Sequence, residues 1–155
     1  MIAALGLPQH ARILEVGCGR GVALPVLEER LRPTRLVGID IDPALLTIAG
    51  QQNQDLGAKV EVTLGDVRAL PFPDADFDLV IDFGTCYHIS RAGEALREIV
   101  RVLTPGGSFV TETRLSQLLS HPIRSRLRPL PWAAAPGLRR HRRALLWERR
   151  QRCVL

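Results

Sequence analysis

Residues 13–21, Ile-Leu-Glu-Val-Gly-Cys-Gly-Arg-Gly (ILEVGCGRG), decide how this chain folds. The run is apolar and β-prone up to Val16, interrupted only by the acid Glu15. It then places glycine at every second position (Gly17, Gly19, Gly21) before the helical-looking VALPVLEERL. A buried parallel strand that turns through glycines into a helix brings free backbone N–H groups and the positive helix end beside a ligand. Glycine lets the backbone turn sharply and approach that ligand with no Cβ in the way. The spacing is G-x-G-x-G, with Val22 where the third glycine of the dinucleotide fingerprint G-x-G-x-x-G would fall. Glu15 stands two residues before the first glycine, where an anion repels a pyrophosphate. The loop therefore suits a ligand with a cationic end better than NAD, which argues against an NAD(P) oxidoreductase.

Working outward, short β-branched runs alternate with helical stretches, the pattern of a parallel sheet with helices on both faces. Strands are expected at about Arg12–Val16, Leu36–Asp40, Lys59–Leu64, Asp78–Phe83 and Ser108–Glu112. Helices are expected at about Val22–Leu31 and from Pro43 onward, with Asp42 as N-cap. A third, at about Gly93–Leu103, presents Leu96, Ile99, Val100 and Leu103 as its apolar stripe. Thr104-Pro105-Gly106-Gly107 reads as the turn that ends it, and residues 68–76, with PFPDAD at their centre, read as irregular.

ILEVGCGRG, RLVGIDID (35–42), VTLGDVRALPFPDADFDLVIDFG and LREIVRVLTPGGSFVTE occur in this order over roughly residues 11–114. Together they resemble the class I S-adenosylmethionine-dependent methyltransferases, most closely the small-molecule and quinone type. The resemblance implies an α/β, Rossmann-like, doubly wound and mostly parallel sheet, with S-adenosylmethionine as cofactor and a small-molecule methyl acceptor. It implies that Glu15, Gly17 and Gly19 hold the methionine end, with Cys18 and Gly21 in the same loop. Asp40, about two dozen residues beyond Gly17, would take the ribose hydroxyls, as in dinucleotide folds, with Ile41 beside it. Asp66 would accept from the adenine amino group and Val67 would pack on the ring.

The acceptor side is read from DFGTCYHIS. It follows a strand whose carboxyl end lies where open α/β sheets bind ligands. Asp82, Tyr87 and His88 are candidates there, Asp82 also for the cofactor. Histidine suits proton removal near neutral pH, and His88 reads equally as a packing or helix-capping residue. Glu112 and Arg114 either face the pocket or decorate a strand end. His10, His121 and His141 show no ligand spacing, so no metal is expected.

At 155 residues the chain is long enough to bury a substantial core. No apolar run approaches the ~20 residues that span a bilayer. Cys18, Cys86 and Cys153 form neither a disulfide framework nor a metal motif, so a cytoplasmic location is expected. Charge divides the chain into an expected core, 1–114, and a tail, 115–155. The core holds 11 Lys+Arg against 15 Asp+Glu, and the tail 10 Arg against the single Glu148.

That tail carries prolines at 122, 129, 131 and 136, and Ala144–Arg149 reads as the end of a helix. Three readings of it stay open: a nucleic-acid footprint around RRHRR with Trp132 and Trp147, a solvated helical surface, or a shifted reading of GC-rich DNA. No closing hairpin and no leading helical segment is recognised. The core is thus expected to be truncated at both ends, which leaves open a donor-binding domain without activity. Strand Ser108–Glu112 is then expected to be an exposed edge prone to self-association.

Overall fold

The structure, a computed structural model, describes residues 7–112 and 145–148. Ten segments follow in order: β1 (Arg12–Val16), α1 (Leu24–Leu31), β2 (Arg35–Asp40), α2 (Pro43–Gln52), a 3-10 turn (Gln54–Lys59), β3 (Val60–Leu64), β4 (Phe77–Asp82), α3 (Ala92–Val102), β5 (Leu103–Thr111) and β6 (Leu145–Glu148). The sheet runs β3-β2-β1-β4-β5-β6; the first five strands are parallel, and β6 is antiparallel to β5. This is the expected doubly wound sheet. The chain winds outward from β1 in one direction to β3 and in the other through β4 to β5.

Alternation along the central strands builds a core on each face. Ile13, Leu79 and Ile81 pack with Leu24, Leu27 and Leu31 of α1. Leu14, Val16 and Val80 pack with Ala95, Ile99 and Val102 of α3. The helix stripe is therefore Ala95–Ile99–Val102, in place of the one expected from sequence: Leu96 is 43% exposed, and Leu103 is buried as the first residue of β5.

α1 starts at Leu24, two residues later than expected, because Gly21 at φ +72° carries the chain past Val22 and Ala23 before helical bonding begins. Pro25 then fits its first turn, where a missing N–H costs nothing. α2 begins as expected, with the Asp42 carboxylate accepting from the N–H groups of Ala44 (2.8 Å) and Leu45 (3.4 Å).

Pro105-Gly106-Gly107 does not separate helix from strand. Leu103 already pairs with Phe77, and Ser108 pairs with Leu79, so the Pro-Gly-Gly segment bulges out of β5. Gly106, at φ +83°, makes that bulge. The tail differs too. Leu145–Glu148 pairs with Ser108–Thr111 as a strand where a helix end was expected. The open backbone groups along β5 supply a ready template for it. β5 is consequently an interior strand, and the basis for expecting self-association through it falls away.

At the amino ends of the strands, ion pairs cross-link the sheet. Arg12 donates to both oxygens of Asp78 (Nε 3.2 Å, Nη2 3.0 Å). Arg35 donates to Glu61 (3.2 Å) and Asp76 (3.0 Å). Among the described residues, no helix is long and apolar enough to cross a membrane.

The revised stripe makes a direct test. Ile99→Ala should cost about 2–5 kcal/mol of folding stability, as a fully buried aliphatic truncation does. Leu96→Ala on the outer side should cost about 1 kcal/mol or less. Urea denaturation of the two variants measures both, and equal losses would contradict the observed helix orientation.

Candidate functional site

The strands' carboxyl ends converge on a cleft of about 280 Å³ at the point where the winding direction reverses, the usual ligand crevice of an open α/β sheet. Its floor is the glycine loop. Gly17 and Cys18 both donate to the Ile39 carbonyl (2.8 and 3.0 Å), which folds the loop back over the end of β2. Gly17 has φ +67°, and a Cβ there would lie 1.7 Å from Thr85 Oγ1. A side chain at position 17 would therefore collide with that of Thr85, and the left-handed φ favours glycine as well.

Asp40 closes the β2 side. Its Oδ2 accepts from the Gly19 N–H at 2.8 Å and its Oδ1 from the Asp42 N–H at 3.0 Å. A carboxylate has about four lone-pair sites, so both oxygens retain capacity to accept from a ligand. Ile41, 63% exposed, forms the lip beside it.

Glu15 is 3% exposed, and its Oε2 has no hydrogen-bond partner among the described residues. Burial first, and the nearby Asp40 charge second, push its carboxyl up to about 8. Burial, reinforced by Glu15 and Asp40, likewise pushes the Cys18 thiol up to about 12. Cys18 is thus a neutral filler: a Cβ at Gly38 would lie 2.9 Å from its Sγ.

The opposite wall, from the loop after β3, is Asp66, Val67 and Arg68. Asp66 Oδ1 accepts from the Arg68 N–H at 2.8 Å, and Arg68 Nη2 donates to Asp66 Oδ2 at 2.6 Å. The Arg68 side chain, followed by its backbone N–H, holds the Asp66 carboxyl below its ordinary range. The carboxylate expected from the family resemblance to accept from an adenine amino group is therefore engaged by a cation two residues away.

Thr85, Ile89 and Ser90, from the loop after β4, complete the enclosure. That loop hangs on Asp82, which is fully buried. Its oxygens accept from the N–H groups of Gly84 (2.9 Å), Thr85 (2.6 Å) and Cys86 (3.2 Å) and from Thr111 Oγ1 (2.9 Å). Asp82, expected from sequence to face cofactor or acceptor, is turned inward here and positions Thr85.

The structure thus brings Gly17, Asp40, Ile41, Asp66 and Val67 together around one cavity. Glu15 and Cys18 are buried outside its lining, Gly19 serves Asp40, and Gly21 packs against Asn53. The Tyr87 and His88 rings lie 4.1 Å apart, also outside the lining, with His88 exposed. Glu112 donates its N–H to the Asp82 carbonyl at 2.8 Å; Arg114, His121, Trp132 and His141 lie outside the described residues. Arg68, Thr85, Ile89 and Ser90 were not singled out from sequence. The D-F-G-T order was the available signal for Thr85, since an aspartate accepting from N–H groups two and three residues on fixes the turn that presents it.

Residues 14–111 match the family profile described as methyltransferase domain. Fatty-acid O-methyltransferase of Mycolicibacterium smegmatis is 35% identical over 99 residues, 64% of this chain and 35% of that protein. Demethylmenaquinone methyltransferase of Thermus thermophilus is 40% identical over 100 residues, 64% of this chain and 45% of that one. The solved structure of a SAM-dependent methyltransferase from Aquifex aeolicus superposes with a TM-score of 0.66 at 26% identity, over 71% of this chain and 60% of that one. The matches to the two curated relatives span well under half of those proteins' length.

The state of Glu15 has a measurable sign. Its folded value of about 8 exceeds the ordinary 4.5 of an unfolded chain, so the folded state holds the proton more tightly. That stabilisation is fully present below pH 4.5 and is lost as pH rises to about 8. The difference in thermal stability between wild type and Glu15→Gln, followed against pH without ligand, should therefore move against wild type across that window and flatten above it. A difference that does not change with pH would contradict this state of Glu15.

Proposed function

Because the chain belongs to the methyltransferase-domain family, we propose that its cleft binds S-adenosylmethionine and that the protein transfers the methyl group to a small organic acceptor. The carrying observation is the combination of a Cβ-free cradle at Gly17 with a strand-end carboxylate at Asp40 and a buried carboxyl at Glu15 whose Oε2 lacks a partner. An orphaned buried oxygen is costly to keep, and a ligand ammonium or sulfonium nearby would offset that cost. The residues fit the donor.

In this reading the glycine loop and Glu15 favour the cationic methionine end. Asp40 accepts from the ribose hydroxyls with its remaining lone pairs, and Val67 flanks the adenine beside Asp66. When bound, the donor supplies an electrophilic methyl group for in-line displacement. The protein's part is positioning and exclusion of water. Thr85, Ile89 and Ser90 border the acceptor side, and the apolar Ile41 and Ile89 favour a lipophilic acceptor, in keeping with the substrates named for the two relatives. Where the acceptor must lose a proton, His88 on the same loop is our candidate base, with Tyr87 against its ring.

Calorimetric titration with S-adenosylhomocysteine tests the donor site. Wild type should bind, and Asp40→Ala should weaken binding by roughly one to two orders of magnitude, the worth of hydrogen bonds to a charged group. A folded wild type that does not bind would remove the proposal.

Arg68 gives a prediction of unusual sign for a cavity residue. It competes with the ligand for Asp66, so Arg68→Ala should tighten S-adenosylhomocysteine by about two- to fivefold, the usual worth of a half-exposed ion pair. Weaker binding in that variant would mean that Arg68 itself holds the ligand.

A further inference from the structure

Outside the cleft, on α3, the Arg101 guanidinium donates five hydrogen bonds. Nε and Nη2 reach the two oxygens of Glu98 (2.8 and 2.7 Å), Nη2 also reaches the Leu70 carbonyl (3.0 Å), and Nη1 reaches the Phe72 carbonyl and Asp74 Oδ1 (both 2.8 Å). Glu98 Oε2 in turn accepts from the Leu70 N–H at 2.8 Å, and Ala75 donates its N–H to the Arg101 carbonyl at 3.0 Å. Both backbone groups of Leu70 are thereby fixed to one helix.

Leu70 is joined to the cleft by a short path. Ala69 donates its N–H to the Asp66 carbonyl at 2.9 Å, and Leu70 and Val67 pack in one apolar cluster with Ile99 and Val102 of α3. The floor and the Asp40 side of the cleft are held by strands. The Asp66–Arg68 wall belongs to the loop between β3 and β4, which has no ladder of its own. The Gly65 N–H bond to the Asp40 carbonyl (2.9 Å) holds the start of that loop and the Arg35–Asp76 pair its far end, and between them its placement depends on this bracket from α3.

We infer that Glu98 and Arg101 are positioning residues that set how the cleft reads the base of a bound nucleoside, an inference that rests on the donor reading above. Neither touches the ligand. They fix the one wall that can tell a 6-amino from a 6-oxo purine, because the glycine loop and Asp40 face the rest of the donor.

The test titrates the full chain with S-adenosylhomocysteine and with its 6-oxo counterpart, S-inosylhomocysteine. Wild type should prefer the adenosyl compound. Arg101→Lys keeps the charge but loses the planar fork; it should bind the adenosyl compound roughly tenfold more weakly, the scale of one weakened hydrogen bond to a charged group, and should show a reduced preference. Arg35→Met, which severs the ion pairs at the far end of the sheet, should keep the wild-type preference. If Arg101→Lys does not fold, Glu98→Gln provides the same comparison with its shape retained.

An undiminished preference in the α3 variants, an equal reduction in Arg35→Met, or a wild type indifferent to the base would each overturn the inference. Wild type binding neither compound would overturn the donor reading and this inference with it.

Discussion

Gly17 and Thr85 occupy each other's space. β1 and β4 end side by side, and the chain leaving each must turn over the same few ångströms of floor. The crossing is possible only because Gly17 has no side chain and tolerates φ +67°. From that close approach follow the others: Gly17 and Cys18 bend back onto Ile39, Gly19 reaches Asp40, and the loop after β4 can roof the cleft. A methyl group at position 17 would collide with the Thr85 side chain at the seam where the sheet reverses its winding.

Around that seam, similar acids perform different work because their surroundings differ. Asp82, fully buried and surrounded by N–H and O–H donors, is an internal fastener. Asp40 is half-buried and only partly committed, which leaves it free to bind. Asp66 is neutralised by Arg68, and Glu15 is buried with one oxygen unanswered. A carboxylate's role here follows from how many donors reach it and whether water does, and neither is written in the residue name.

The same distinction explains what could be read in advance. The five parallel strands were legible because buried β-branched runs between turn residues have few other folds open to them. Asp42 with Pro43 marked a helix start; Gly17 and Asp40 stood out by spacing and Asp66 and Val67 by the family resemblance, and all four line the cleft. What escaped depends on partners distant in sequence or on local geometry. On α3, Ala95 in place of Leu96 shares the buried face with Ile99, a choice between adjacent positions that an amphipathic pattern hardly registers. The Pro-Gly-Gly segment looks like a turn and is a bulge, because Leu103 finds Phe77 before the segment begins. Asp82 looks like a pocket acid until Thr111 and three backbone N–H groups are seen to claim it. Leu145–Glu148 has helix-forming residues, yet it lies along the open side of β5.

The carboxyl behind the glycine loop has one further consequence. Burial biases that carboxyl toward its protonated form in the ligand-free protein, a proton that a formal charge count omits. In the donor-binding reading proposed above, a positively charged ligand group beside Glu15 would favour the ionised acid, and the proton would leave as the ligand enters. The site would then exchange one positive charge for another. The loop interior would keep its electrical balance through the binding event, and the cost of burying a bare anion would not be met in full at any stage.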